Sequence, residues 1–211
     1  MRPKQIVKAG YDNIASEYEA TRKHDSEDVR LLRQLVERLP KNATMLDAGC
    51  GSGYPVTQFL AQYFQVTGID FALKQIRLAK SRLPNVKFIC ADIANLPIRA
   101  NTFDVVCSYY AIIHLPRSEH QKVLEGFLNI LRPGGLALLC MGAGDLPEDT
   151  SRYHNAPMFW SHFDRDTNLR IIKDTGLRIL WSKTIADSTD PRSAHLFVLA
   201  KKEEKDRMKP Q

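Results

Sequence analysis

The sequence predicts an α/β fold in which a doubly wound, mostly parallel sheet of seven strands, its last strand antiparallel, carries helices on both faces. Three observations support this prediction. Short apolar segments typical of strands alternate with segments whose apolar residues recur every three or four positions, as in amphipathic helices. The first strand runs directly into a glycine-rich loop. The last two strands are joined by a polar connection without a helix, which favours an antiparallel pair.

Length and composition indicate one globular domain. The chain has 211 residues, of which 44% are hydrophobic and 26% charged. No apolar run approaches the roughly 20 residues of a membrane span, and the N-terminus lacks the apolar region of a secretion signal, so we expect a cytoplasmic protein without a membrane partner. The net charge of +6 is scattered and indicates a solvated surface. The four cysteines lack C-x-x-C spacing, which predicts buried free thiols and no metal site.

We divide the predicted domain into five consecutive parts. They are N-terminal cap helices in 1–40, a core in 41–141, a lid-like loop at 142–163, a helix and strand pair in 164–201, and a tail at 202–211. The cap is predicted as one helix within 3–24 and another over 26–39 that begins at Ser26. The loop shows no clear periodicity, and a loop of this length in a compact domain is usually functional or mobile.

Three further helices have predicted ends. One opens at the capping-box spacing Ser118–Gln121, and another begins at Asp164 or Asp166 and stops at Gly176. The third covers 73–83, after the second strand.

The segment 44–53, T-M-L-D-A-G-C-G-S-G, is the feature around which the other predicted elements are arranged. Met45 and Leu46 suit a buried strand, and glycines at alternate positions let a ligand approach backbone N–H groups. The spacing is G-x-G-x-G, which differs from the G-x-G-x-x-G of dinucleotide-binding loops. The segment therefore predicts a strand followed by a loop that cradles a ligand.

Polar side chains collect at the ends of the predicted parallel strands. Asp47 ends the first strand, Asp70 the second and Asp92 the third, while Tyr109–His114 follows the fourth. In an open α/β sheet, ligands bind beyond the carboxyl ends of the strands. We therefore expect these residues to form one site, although Asp70 and Asp92 could instead cap the helices or turns that follow them.

With these motifs in order, the sequence resembles the class I S-adenosylmethionine-dependent methyltransferases, a family with a Rossmann-like fold, and especially those acting on small molecules. The matching motifs are L-D-A-G-C-G-S-G, G-I-D, A-D-I-A-N-L-P, F-D-V-V-C-S-Y-Y-A-I-I-H-L and L-R-P-G-G-L-A-L-L, within about residues 10–200. The resemblance implies transfer of a methyl group from S-adenosyl-L-methionine to a small-molecule acceptor, with S-adenosyl-L-homocysteine as the product.

The resemblance also implies a cofactor site. The methionine part would contact Gly49, Gly51 and Gly53, with Asp47 bracing the loop, and Asp70 would accept both ribose hydroxyls. The remaining cofactor contacts implied are Phe71 and Gln75 beside the ribose or adenine, Asp92 and the backbone N–H of Ile93 at the adenine, and Tyr109 and Tyr18 at the methionyl end.

The acceptor side is less defined by the sequence. His114 follows the fourth strand and is a candidate general base, although it could equally be a loop histidine that only packs. Tyr153, His154 and Trp160, together with Phe159 and His162, are candidate substrate contacts from the lid-like loop, and plain packing or surface exposure is the alternative for each.

Other functions and partners are weighed against this interpretation. The residues S-Y-Y-A after the fourth strand differ from the D/N-P-P-Y used on exocyclic nitrogens, and no RNA-binding module is evident, so a nucleic acid partner is not expected. O-, N- and C-methylation all remain open, as do a monomer and a homodimer. The alternatives are a nicotinamide-dependent oxidoreductase and a non-catalytic protein that binds S-adenosylmethionine as a sensor or scaffold.

Overall fold

Seven strands form the central sheet of the protein, for which a computed structural model describes residues 2–186 and 193–204. The strands are β1 (Thr44–Ala48), β2 (Gln65–Asp70), β3 (Lys87–Cys90), β4 (Phe103–Ser108), β5 (Leu131–Gly142), β8 (Leu177–Ala186) and β9 (Ala194–Lys202), and their order is β3-β2-β1-β4-β5-β9-β8. β1 to β5 are parallel, while β9 is antiparallel to β5 and β8. The predicted sheet, with its antiparallel last strand, is confirmed.

Seven α-helices connect or cover the strands. They are α1 (Pro3–Thr21), α2 (Glu27–Arg30), α3 (Arg33–Arg38), α4 (Val56–Leu60), α5 (Leu73–Arg82), α6 (Arg117–Ile130) and α7 (Arg165–Asp174) in the described residues, with short 3₁₀ turns at Ile93–Asn95 and Ile112–His114. Asp164 caps α7 as predicted, because its carboxylate accepts from the N–H groups of Asp166 and Thr167. Gly176 follows with φ of 99°.

Both faces of the sheet are covered by helices, because alternate strand residues point to opposite sides. Leu46 and Val106 pack on one side with Phe127 of α6, in a cluster that also includes part of α7. Met45 and Val105 pack on the other side with residues of α2, α3 and α4. The strand ends are thereby fixed between two apolar layers.

Two helix predictions need correction. The helix expected over 26–39 is interrupted between α2 and α3, where the N–H groups of Leu31 and Leu32 bond to carbonyls three residues back. Such bonds form the tighter 3₁₀ geometry, and Leu32 there is fully buried. The capping box predicted at Ser118–Gln121 is also wrong. Helix α6 begins at Arg117 with Pro116 as its N-cap, so Ser118 already lies inside the helix.

The lid-like loop predicted at 142–163 is a β-hairpin. β6 (Leu146–Tyr153) and β7 (Ala156–His162) form a two-stranded antiparallel sheet, joined by a tight turn in which His154 has φ of 50°. β6 is mostly exposed and polar, so it carries none of the apolar alternation that would reveal a strand.

Helix α1 lies against β7. Val7 and Ile14 of α1 pack with Met158 and Phe159 of β7. Gly10 allows this approach, because a Cβ at that position would lie 2.7 Å from the carbonyl oxygen of Pro157. The hairpin and α1 therefore form one layer above the carboxyl ends of the parallel strands.

The predictions for the cysteines and for two polar segments can now be compared with the structure. Cys50, Cys107 and Cys140 are buried free thiols as predicted, but Cys90 at the end of the edge strand β3 is exposed. Positions 187–192 of the predicted polar connection and 205–211 of the predicted tail lie outside the described residues. Among the helices described, none has the length and apolar character needed to cross a membrane.

Replacing Phe127 with alanine should lower the free energy of unfolding by about 3–5 kcal/mol, because the fully buried ring fills the layer between α6 and the sheet. Urea denaturation measures the change. Leu73→Ala is the control: its side chain is 43% exposed, and its loss should change stability by about 0.5 kcal/mol or less. Equal losses for the two variants would contradict this description of the core.

Candidate active site

The glycine loop after β1 is folded back against two neighbouring strands. Gly49, Gly51 and Gly53 all have positive φ, at 86°, 52° and 79°. A Cβ on Gly49 would lie 2.2 Å from the Cβ of Ala111, so only glycine permits this close packing. The N–H groups of Gly49 and Cys50 donate to the carbonyl of Ile69 at 2.7 and 2.9 Å. The loop is thus tied to the end of β2.

Asp70 ends β2 beside the glycine loop. Its two carboxylate oxygens accept from the N–H groups of Gly51 at 3.0 Å and Ala72 at 2.8 Å. Burial raises the pKa of Asp70 to about 6, although these backbone hydrogen bonds oppose the shift. Each carboxylate oxygen has a second lone pair, so Asp70 can still accept hydrogen bonds from a ligand.

A space of about 660 Å³, counting its open mouth, lies between the strand ends and α1 and is here called the inner cavity. It brings together most of the residues that sequence analysis selected, namely Tyr18, Gly49, Gly51, Asp70, Phe71, Gln75, Asp92, Ile93, Tyr109 and His114. Residues from the ends of the parallel strands therefore lie around one space, and their binding of a cofactor stays a prediction.

Asp47 and Gly53 are the two predicted cofactor-site residues that do not line the inner cavity. Asp47 was expected to brace the loop, whereas Gly53 was expected to contact the methionine part directly. Asp47 is buried and accepts from the hydroxyl of Thr57 at 2.5 Å, and burial raises its pKa to about 7. Asp47 borders a smaller pocket beside the loop. A Cβ on Gly53 would lie 3.3 Å from Leu83, so Gly53 allows the loop to pack on α5.

Asp92 both caps a turn and lines the inner cavity. Its carboxylate accepts from the N–H of Ala94 at 2.9 Å, which is the capping role considered from the sequence. Its other oxygen pairs with the ammonium group of Lys4 at 2.7 Å, and Lys4 also contacts Glu119 at 2.5 Å. A cation from α1 therefore lies at this end of the cavity, which sequence analysis did not predict.

His114 is held by two hydrogen bonds at the other end of the inner cavity. Its Nδ1 lies 2.7 Å from the carbonyl oxygen of Phe159, and its Nε2 lies 2.9 Å from the hydroxyl of Tyr11. A carbonyl oxygen can only accept, so Nδ1 carries the proton and Nε2 accepts from Tyr11. Burial lowers the pKa of His114 to about 4, so the imidazole is neutral at physiological pH.

A second space of about 1730 Å³, counting its open mouth, adjoins the inner cavity and is here called the outer pocket. It is lined by four of the residues selected as candidate substrate contacts, namely Tyr153, His154, Trp160 and His162 of the hairpin. Phe159 is different: its side chain is buried against α1, and only its carbonyl reaches the site, through His114.

Two residues of this region, Tyr11 and Arg22, were missed as site residues from the sequence. Tyr11 lines both spaces and binds His114, while Arg22 pairs with Asp28 at 2.8 Å and lies 4.5 Å from the ring centroid of Tyr110. Tyr110 also lines both spaces. Helical spacing offered a signal for both missed residues, because Tyr11, Tyr18 and Arg22 are separated by seven and four positions and therefore share one face of the N-terminal segment.

The sequence is similar to known methyltransferases. A family model described as a methyltransferase domain matches residues 45–135. A malonyl-[acyl-carrier protein] O-methyltransferase from Pseudescherichia vulneris is 32% identical over 148 residues, covering 69% of this chain and 57% of the relative. A tRNA (carboxymethyluridine(34)-5-O)-methyltransferase from Arabidopsis thaliana is 30% identical over 149 residues, covering 70% of this chain and 35% of the relative. The chain thus spans about half the length, or less, of these relatives.

A solved structure supports the fold. The 1,6-didemethyltoxoflavin-N1-methyltransferase of Burkholderia thailandensis, with 1,6-didemethyltoxoflavin and S-adenosylhomocysteine bound, superposes with a TM-score of 0.70 at 20% identity. The superposition covers 93% of this chain and 85% of the other. At this identity the similarity shows a shared architecture.

The ordered motifs, the strand order and these matches agree, and together they support a class I S-adenosylmethionine-dependent methyltransferase. S-adenosyl-L-methionine is the cofactor of this family, and the residues present fit it. The Asp70 carboxylate keeps free acceptor capacity at the cavity, and the glycine loop leaves the ligand side open. The matches give no support to a nicotinamide-dependent oxidoreductase.

Histidine titration followed by NMR should show a midpoint near pH 4 for His114, because burial disfavours the imidazolium form. The ordinary value for histidine is 6.5, so the unfolded chain takes up this proton first. The stability that neutral His114 contributes is therefore fully present above about pH 6.5 and is lost as the pH falls toward 4.

His120 also has its pKa lowered to about 4, so the resonance of His114 is assigned by its loss in a His114→Gln variant. A midpoint for His114 near 6.5 would contradict the buried, neutral imidazole described here.

Proposed function

We propose that the protein transfers a methyl group from S-adenosyl-L-methionine to a small-molecule acceptor. One observation carries the proposal: the inner cavity and the outer pocket meet at shared residues, which are Tyr11, Tyr18, Tyr110 and His114. One space can therefore hold the donor while the other holds the acceptor, and the two ligands would meet at these residues.

The donor would lie along the strand ends. Its ribose hydroxyls would donate to Asp70, and its adenine would lie near Asp92 and Ile93. Its methionine part would lie at Gly49 and Gly51, with Tyr109 and Tyr18 beside it. The guanidinium group of Arg22 lies in the small pocket next to the loop, which suits the carboxylate of that part. Phe71 and Gln75 would complete the contacts around the ribose and adenine.

Chemistry at this site depends mainly on positioning. When bound, S-adenosylmethionine supplies a methyl group attached to a positively charged sulfur. The sulfur leaves as a neutral thioether, so its departure needs no acid or metal. The chain's own residues then have to exclude water and hold the acceptor in line with the methyl group, an effect worth several kcal/mol.

In this geometry His114 is not placed to take a proton directly from an acceptor, as a general base would. Its Nε2 already accepts the proton of Tyr11, so His114 would reach an acceptor only through the Tyr11 oxygen. We propose that the pair lies beside the reacting atom of the acceptor without taking its proton directly.

The lining of the outer pocket supports a small acceptor. The named acceptors of the two relatives are attached to a carrier protein in one case and part of a tRNA in the other. In this chain the outer pocket is bounded by α1 and the hairpin, and its lining is largely aromatic. A free organic molecule fits such a space better than a macromolecular surface does.

Replacing Asp70 with alanine should weaken binding of S-adenosylmethionine and S-adenosylhomocysteine by more than about tenfold, or 1.4 kcal/mol, because two hydroxyl contacts to a carboxylate are lost. Isothermal titration calorimetry gives the dissociation constants. Asp149→Ala is the matched control, since this carboxylate lines only the outer pocket of the two.

An unchanged dissociation constant in the Asp70→Ala variant would reject the ribose assignment. If the unaltered protein binds neither ligand, the methyltransferase proposal itself fails. If it binds both but no acceptor is ever methylated, a sensor or scaffold is the better description.

Cofactor affinity should also depend on pH. The pKa of Asp70 is about 6, and ribose hydroxyls donate to its ionised form. Binding is therefore expected to be strongest above about pH 7 and to weaken as the pH falls through 6. In an Asp70→Asn variant this dependence should be much reduced, leaving the part due to Asp47, whose pKa is about 7. The same profile in both proteins would show that Asp70 is not the titrating group.

A further inference from the structure

Five aromatic side chains contact one another in a closed circle, here called the aromatic collar. Its members are Tyr11, Tyr18, Tyr153, Trp160 and His114. Going round the circle in that order, neighbouring ring centroids lie 5.2, 6.2, 5.9, 5.9 and 5.3 Å apart, the last distance joining His114 to Tyr11. These separations are within the range of favourable edge-to-face and offset contacts.

The aromatic collar lies where the two spaces meet. Tyr11, Tyr18 and His114 line both the inner cavity and the outer pocket, while Tyr153 and Trp160 line the outer pocket. Its members come from three parts of the chain, namely α1, the 3₁₀ turn after β4 and the hairpin. An acceptor in the outer pocket would meet a donor in the inner cavity at these shared residues.

We propose that the outer pocket binds a planar aromatic hydroxyl compound that is already ionised near neutral pH, with the aromatic collar holding its ring and its oxygen facing the inner cavity. This inference rests on the proposed methyltransferase function and names the class of acceptor for it.

The composition of the lining favours a flat ring over an open chain. Nine of the seventeen residues that line the outer pocket are tyrosine, tryptophan or histidine. Flat side chains offer stacking and edge-on contacts that a planar ligand can match over its whole area. A flexible chain would make poorer contact with them and would also lose conformational freedom on binding.

Charge in the outer pocket is compatible with an anion. Arg22 and Arg152 both line it, and Asp149 is the only carboxylate among the described lining residues. Arg22 already pairs with Asp28 at 2.8 Å, and Asp149 accepts from the hydroxyl of Ser151 at 2.8 Å. A phenolate would therefore meet no excess of negative charge among these residues.

The Tyr11–His114 pair leaves no free base at the aromatic collar, because Nε2 of His114 already accepts from the hydroxyl of Tyr11 at 2.9 Å. Burial raises the pKa of Tyr11 well above its ordinary value and lowers that of His114 to about 4. A proton passed to His114 would leave it again near neutral pH. An acceptor that loses its proton to solvent before binding avoids this difficulty.

The transfer step is balanced with such an acceptor. A lone pair on the ionised oxygen forms a new bond to the methyl carbon, and the bond between that carbon and the donor sulfur breaks with its electron pair left on sulfur. The anion and the sulfonium both become neutral. No oxidant, metal or further proton transfer is required.

Calorimetric binding to the full protein saturated with S-adenosylhomocysteine tests the inference. The probes are 4-nitrophenol, which is planar and ionises near neutral pH, nitrobenzene, which lacks the hydroxyl, and hexanoate, an open-chain anion. We expect 4-nitrophenol to bind at least about tenfold more tightly than either of the others. Equal or tighter binding of hexanoate would overturn the proposal in favour of an open-chain acid.

Two tryptophan variants locate the binding site. Trp160→Leu should weaken 4-nitrophenol about tenfold while S-adenosylhomocysteine still binds, because a wall of the aromatic collar is removed. Trp181→Leu, on strand β8 and outside the collar, should leave 4-nitrophenol binding unchanged. Should Trp160→Leu fail to fold, Tyr153→Leu gives the same comparison.

The results separate this inference from the proposed function. If the unaltered protein does not bind S-adenosylhomocysteine, the proposed function fails. If it binds S-adenosylhomocysteine and the collar variants bind 4-nitrophenol as tightly as the unaltered protein, only the acceptor assignment fails.

Discussion

The hydrogen bonds of one histidine join the three parts of the protein that form its site. His114 follows β4, donates from Nδ1 to the carbonyl of Phe159 in β7, and accepts at Nε2 from Tyr11 of α1. Burial makes these bonds costly to leave unmade, because an unpaired imidazole nitrogen would have no water to replace its partner. These two hydrogen bonds therefore fix the spacing between the sheet, the hairpin and the N-terminal helix. That spacing sets the width of the space they enclose.

The rest of α1 is fixed over the inner cavity by polar contacts at both ends. Lys4 pairs with Asp92 near one end, and Glu19 pairs with Arg82 and accepts from Ser52 of the glycine loop near the other. Between them, Gln75 of α5 donates to the backbone carbonyl of Tyr11 at 3.0 Å. These ionic and hydrogen-bonding partners on the core add to the apolar packing of α1 against β7. A ligand in the inner cavity would share several of those partners.

The central sheet could be predicted from the sequence because its signals are local. Buried parallel strands give continuous apolar runs, and the positive φ angles of the loop after β1 call for glycine at the positions where it occurs. The polar residues at Asp70, Asp92 and Tyr109 were predictable for the same reason, since each directly follows or ends a recognisable strand.

The hairpin and the contacts made by α1 could not be predicted in this way. β6 exposes both faces of its backbone to polar surroundings, so its sequence carries no period-two pattern. The pairings of Lys4 with Asp92 and of Tyr11 with His114 join residues 88 and 103 positions apart. No local pattern encodes such contacts. The same holds for Phe159, whose side chain packs in the core while its carbonyl orients the imidazole.

A crystal structure of the protein with S-adenosylhomocysteine is the most direct test of the central claim, that the strand ends beneath α1 hold a methyl donor whose reacting end faces the aromatic collar. The account predicts the ribose hydroxyls within hydrogen-bond distance of Asp70, and the ligand sulfur at the side of the inner cavity lined by Tyr11, Tyr18 and His114. A ligand bound elsewhere, or one whose sulfur points away from the collar, would contradict it.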